Sequence, residues 1–174
     1  MKNMKKILVL IILFSGFAAS SFAQTGTNAT ATSSAYVITP IGIANTGDMN
    51  FGTLAVNTSA GTVLLPATDG TPLRTRTGGV TLPAIIGTVS DATFHIVGEG
   101  ASQITIGLPG SPVDITGPGS TMSVSLFTCY PSITPILSGG MLDIYVGATL
   151  NVNGSQGTGS YTTPVPFTVT VNYN

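Results

Sequence analysis

The chain contains a segment, FTVTVNYN, in which Phe167, Val169, Val171 and Tyr173 fall on one side of an extended backbone and Thr168, Thr170 and Asn172 on the other. That strict two-residue alternation is the signature of a β-strand with one buried and one wet face, because successive side chains in a strand point to opposite sides of the sheet. A strand of this kind needs partners for its backbone and a second layer for its apolar side.

The same pattern recurs along the sequence. YVITPIGI, GTVLLP, LRTRT, VTLP, ATFHIV, SQITIGL, TMSVSLF and MLDIYVGATLNV are short runs separated by Gly, Pro, Ser, Asn and Asp. Asp69-Gly70 and Gly78-Gly79 read as hairpin turns, since tight hairpins require positive φ and Gly and Asp tolerate it. Pro40 lacks a ladder donor, so YVITPIGI is expected to be an edge strand or a switch between sheets. No segment has a helical period. About eight or nine short antiparallel strands at this spacing predict an all-β sandwich over residues 36–174. A transmembrane barrel fits less well, because the strands lack paired aromatic girdles and several are short for a spanning strand.

Composition supports the same class. Residues 24–174 hold 27 Thr, many Val and no Trp or Lys. Thr and Val are stiff at χ1 and suit a pleated surface. Disorder is disfavoured by the recurring bulky alternation.

Lys2, Lys5 and Lys6 precede an apolar run from Ile7 to Phe17, followed by Ser21, Phe22 and Ala23. This order predicts a secretory signal peptide over residues 1–23, with the exported chain starting at Gln24. Residues 24–35, QTGTNATATSSA, contain nothing large enough to anchor in a core and read as a flexible arm. No later stretch reaches the roughly 20 apolar residues of a membrane helix. Beyond residue 23 two arginines stand against six carboxylates, a net charge of two minus six, or −4. Nucleic-acid binding, which relies on Lys and Arg displacing counterions, is thereby disfavoured.

Few residues offer chemistry. His95, in TFHIV, alternates with Phe94 and Ile96; if those two face the core, His95 faces solvent or a partner. Its nearest acids in sequence, Asp91 and Glu99, each lie over ~13 Å away on an extended strand. Cys129 is the only cysteine, which excludes an intramolecular disulfide and a multi-thiolate zinc site, and reads as a small buried side chain. The acids, Asp48, Asp69, Asp91, Glu99, Asp114 and Asp143, are read as solvated turn residues with no calcium-loop spacing. Arg74 and Arg76 share a strand face, either to receive an anion or to keep that face soluble. Sequons at Asn28, Asn57 and Asn153 are assigned no function. No catalytic, cofactor-binding or metal-binding residue is expected, and the chain is read as not an enzyme.

Taken together, TPIGIANTGDMNFGTL, GTVLLPATDGTPLRTRTGGVTLP, ATFHIVGEG, ITIGLP, VGATLNVNGSQGTGSY and FTVTVNYN resemble a family of secreted bacterial proteins known as domain of unknown function 4402. More distantly, the chain looks like spore-coat-U-type subunits of archaic chaperone-usher pili. That resemblance implies an incomplete immunoglobulin-like sandwich, completed by the N-terminal arm of a neighbouring subunit, with an aromatic residue second from the end as Tyr173 is here. Tyr36, Ile38, Ile41 and Ile43 would then supply the large side chains of an exchanged strand, interrupted at Pro40. The implied partners are copies of the chain or related subunits and a periplasmic chaperone, and the implied location is the periplasm, the cell surface or an extracellular fibre. The expected function is a structural or adhesive subunit of a surface fibre or coat. The alternative is a monomeric secreted sandwich that binds a glycan or surface ligand through its loops, with Tyr36, Tyr130, Tyr145 and Tyr161 as stacking residues.

Overall fold

The computed structural model describes residues 26–84 and 87–174. The expected signal peptide and the Gln24 start lie outside the described residues. Residues 26–36 form no helix or strand. Among the described residues, all the regular structure lies within Val37–Asn174.

Nine strands occur among the described residues, and no helix: β1 (Gly42–Gly47), β2 (Ala55–Leu65), β3 (Thr75–Thr81), β4 (Ala92–Val97), β5 (Ile104–Gly107), β6 (Val113–Ile115), β7 (Met122–Tyr130), β8 (Met141–Val152) and β9 (Thr170–Tyr173). All pairings are antiparallel. A seven-stranded sheet is built around β8, and β5 pairs with β9 in a second, two-stranded sheet.

The larger sheet turns on β8. Along one side β8 pairs with β7. Along the other, its first half pairs with β4, from Val97↔Met141 to Ala92↔Val146, and its second half with β2, from Leu65↔Ala148 to Gly61↔Val152. The handover falls at Gly147, where a Cβ would run into backbone atoms of Leu65, Pro66 and Ala67. Only glycine lets β2 pass so close to β8.

Ile144, Val146, Ala148, Leu150 and Val152 share one face of β8 and are all buried. The first two pack with Ala92, Phe94 and Ile96 of β4, Ile104 and Ile106 of β5, Leu137 and Val169. The last three pack with Val63, Val80, Met122 and Val124. The two sheets therefore enclose one side of β8's apolar stripe, giving the expected β-sandwich, while the far half of the stripe is covered by β2, β3 and β7.

Two strands depart from simple alternation. On β7, Met122 and Val124 are buried and so would be Leu126, but the register slips between Ser125 and Thr128. Leu126 takes a left-handed φ of 53° and stands 74% exposed. The extra residue inverts the alternation beyond it. Phe127 and Cys129 turn inward, and Phe127 meets Phe167 at a ring separation of 5.1 Å. On β2 the register slips between Val56 and Gly61, opposite Gly78 at φ 61°.

Several expectations are corrected. Tyr36–Ile41 is not a strand; β1 begins at Gly42, one residue beyond Ile41 and past Pro40, whose missing N–H cannot join a ladder. Gly78-Gly79 is not a hairpin turn. Both lie inside β3, where a Cβ on Gly79 would strike Ser59 and Asn57 of the bulging β2, so the glycines permit a close crossing instead. The acids are not all turn residues: Asp114 lies in β6 and Asp143 in β8, and Asp91 is 5% exposed beside β4.

Candidate functional site

The alternation of FTVTVNYN holds in space. Val169 is buried, Phe167, Val171 and Tyr173 are half-buried against the same core, and Thr168, Thr170 and Asn172 are exposed. Hydrogen-bonded strand is confined to Thr170–Tyr173, because β5, its partner, is only four residues long.

The pairing leaves one edge of β9 open. Ile104 and Ile106 of β5 donate their N–H groups away from β9, to Pro135 at 3.0 Å and Ile133 at 2.8 Å, and Asn174 donates to Gln103. Ile104 faces Tyr173 and Ile106 faces Val171 in the register, so these are the non-hydrogen-bonded pairs of the ladder. Val171 and Tyr173 consequently direct their backbone N–H and C=O groups away from β5. Among the described residues no strand pairs with that edge. Its neighbour is β1, itself paired only with β4, and Ile41, Ile43, Val171 and Tyr173 all pack on the same core cluster. Two edges, one from each sheet, thus lie side by side over apolar side chains.

A polar knot closes one end of this edge. Tyr173 donates its hydroxyl to the Thr39 carbonyl at 2.7 Å and accepts the Glu99 N–H at 2.6 Å, while the Glu99 carboxylate accepts the Thr39 N–H at 2.9 Å. The hydrogen bond from Thr39 holds the Glu99 carboxyl below its usual pKa. Gly98 has no side chain because a Cβ there would meet the Tyr173 hydroxyl and Leu137.

His95 projects from the outer face of β4, as expected from buried Phe94 and Ile96. Sequence separation concealed its partner. Asp143 lies directly opposite on β8, with His95 Nδ1 and Asp143 Oδ1 2.6 Å apart. Their side chains are 39% and 55% exposed, and the cross-strand register was the only signal that could have joined them. On the same face Tyr145 stands opposite Tyr130 of β7, with ring centroids 6.3 Å apart at 50°.

The other candidates are engaged structurally. Cys129 is half-buried, burial pushes its thiol pKa up to about 11, and its Sγ lies 3.6 Å from the Ser132 carbonyl. Arg74 donates to the carbonyls of Phe51 and Thr53, and Arg76 to that of Val80 at 2.8 Å, so each guanidinium ties a loop or bulge. Asp91 accepts the Thr68 N–H at 2.8 Å; burial raises its pKa although that hydrogen bond opposes the shift. Tyr161 accepts from Gly119 and donates to Gly157 at 2.8 Å, pinning the loops that flank Gly119 and Gly157 rather than offering a free ring. Tyr36 is exposed, at the end of residues 26–36, which form no strand. Asn57 caps its own bulge by accepting the Ser59 N–H, and Asn153 donates to the Thr121 carbonyl. Among the described residues no group of three or more His, Cys, Asp or Glu side chains is disposed to hold a metal ion, and no helix is long and apolar enough to cross a membrane.

A family model described as a domain of unknown function (DUF4402) matches residues 41–173. That span starts one residue before β1 and runs to the last residue of β9. No curated protein and no solved structure matches the chain.

Proposed function

The chain belongs to the DUF4402 family, and we propose that it is an exported structural or adhesive subunit of a surface fibre or coat, assembled by adding a strand from a neighbouring subunit to the open edge of β9. The observation that carries this reading is that, among the described residues, no strand pairs with the backbone of Val171 and Tyr173 on the side away from β5 or with the neighbouring edge of β1. An extended peptide laid along such an edge gains main-chain hydrogen bonds, while alternate side chains set its register. Long apolar edges left open are otherwise a route to uncontrolled aggregation. The resemblance to spore-coat-U-type pilins, which implies an immunoglobulin-like sandwich and a periplasmic chaperone, agrees with this mode of assembly. Residues 26–36, which form no strand, are the donor we assign.

The test is size-exclusion chromatography and negative-stain electron microscopy of the exported protein over a range of concentrations, with a variant lacking residues 24–36. Fibres or a ladder of oligomers in the full protein, lost in the folded deletion variant, are expected. A monomer at every concentration, or assembly undiminished by the deletion, refutes strand addition through the arm.

A further inference from the structure

The outer face of the larger sheet, in the layer opposite β9, groups side chains that the folding of the sandwich does not require to be there. Asp143 and Tyr145 point outward because Ile144 and Val146 between and beside them point inward. Tyr130 joins them only through the bulge at Leu126, which inverts the β7 alternation; without it Tyr130 would face the core and Cys129 solvent. The register then sets Tyr130 against Tyr145, and His95 against Asp143, in adjacent positions of one surface.

We propose that Tyr130, Tyr145, Asp143 and His95 form a binding site for a neutral pyranose sugar, independent of the strand-addition reading above. A pyranose ring has an apolar face of C–H bonds and a rim of hydroxyls, and the surface offers a complement to both. Tyr130, 42% exposed, and Tyr145 provide two ring surfaces inclined at 50°, each with an apolar body and a polar tip. Asp143 is two residues from Tyr145 along β8, a spacing of about 6.6 Å, so the hydroxyls of a sugar seated on Tyr145 reach its carboxylate. A carboxylate only accepts, so the short contact places a proton on His95 Nδ1. Asp143 Oδ2 is then the carboxylate oxygen not committed to His95 and is suited to accept from a sugar hydroxyl, and His95 Nε2 is a second polar atom on the same face. The contact also holds the carboxylate in one orientation before any ligand arrives, which lowers the ordering cost of binding.

Charge selects the sugar class. Loss of solvent raises the pKa of the Tyr145 phenol, and the carboxylates of Asp143, Asp69 and Asp91 add to the shift. The two arginines are tied to backbone carbonyls elsewhere. A negative field without a free guanidinium disfavours uronates and sialylated glycans and leaves neutral hexoses and N-acetylhexosamines.

Isothermal titration of the exported protein with cellohexaose, maltohexaose and chitohexaose, and with oligogalacturonate as the acidic comparator, tests this directly. Binding of at least one neutral oligosaccharide is expected, weakened about tenfold or more, ~1.4 kcal/mol, by Tyr130→Ala and by Asp143→Asn. Asp143→Asn keeps the shape of an exposed side chain, so it remains informative if Tyr130→Ala impairs folding. Absence of binding to all three neutral oligosaccharides, stronger binding to oligogalacturonate, or affinity unchanged in folded Asp143→Asn overturns the proposal. Binding of a protein partner at this face without any oligosaccharide binding overturns it as well.

Discussion

The hydroxyl of Tyr173 donates to the carbonyl of Thr39 at 2.7 Å, joining two residues separated by 134 positions. With the Glu99 N–H on the same oxygen, this contact fastens the chain entering β1 and the turn after β4 to the end of β9. It sits where the two open edges meet, so it defines how the proposed acceptor surface ends.

Replacing Tyr173 by Phe keeps the ring against the core and removes both hydrogen bonds. Each is worth about 0.5–1.5 kcal/mol net, so a loss of about 1–3 kcal/mol is expected, with a melting temperature lower by several degrees. Differential scanning calorimetry measures it, and an unchanged melting temperature would show that the knot contributes nothing to stability.

Val169→Asp and Thr170→Asp separate the two faces of β9. Val169 is 8% exposed inside the core cluster, whereas Thr170 is exposed. A buried unpaired carboxylate costs several kcal/mol, enough to unfold a domain whose whole stability is about 5–15 kcal/mol. Val169→Asp should abolish cooperative melting and Thr170→Asp should melt close to wild type. Equal tolerance in a thermal-melt comparison contradicts the assignment of faces.

Asp91 gives the stability a defined pH dependence. Burial raises its pKa in the folded state, against the opposing hydrogen bond from Thr68. The folded form then holds its proton more tightly than the unfolded form, so the contribution of this group is greatest below the unfolded pKa and is lost as pH rises through the folded pKa. Asp91→Asn retains an oxygen for the Thr68 N–H without the buried charge. It should raise the melting temperature at pH 7 more than at pH 4, and the opposite ordering would contradict the sign.

Cys129, with a thiol pKa of about 11 caused by burial, should be on the order of one-thousandth thiolate at pH 8. Reaction of the native protein with a disulfide reagent such as DTNB should be slow and should become fast in denaturant. Rapid titration of the native thiol at pH 8 would show Cys129 to be accessible and activated.

The strand content of this protein, its two-faced segments and the outward direction of His95 were legible in the sequence, because alternation is a local property with a period of two residues. Phe94 and Ile96 suffice to send His95 outward whatever else the chain does. The family signature over β1 to β9 is likewise written along the chain. Register and closure were decided only by the tertiary structure. That Asp143 faces His95, that Tyr130 rather than Cys129 reaches the surface, and that Gly78-Gly79 passes under β2 instead of turning all depend on which strands pair and where one residue is inserted. A bulge at Leu126 inverts every side chain beyond it, and nothing in the hydrophobic pattern of TMSVSLFTCY announces it. The open edge of β9 is of the same kind: an unpaired backbone is defined by the strands that are not beside it, and no stretch of sequence carries that information by itself.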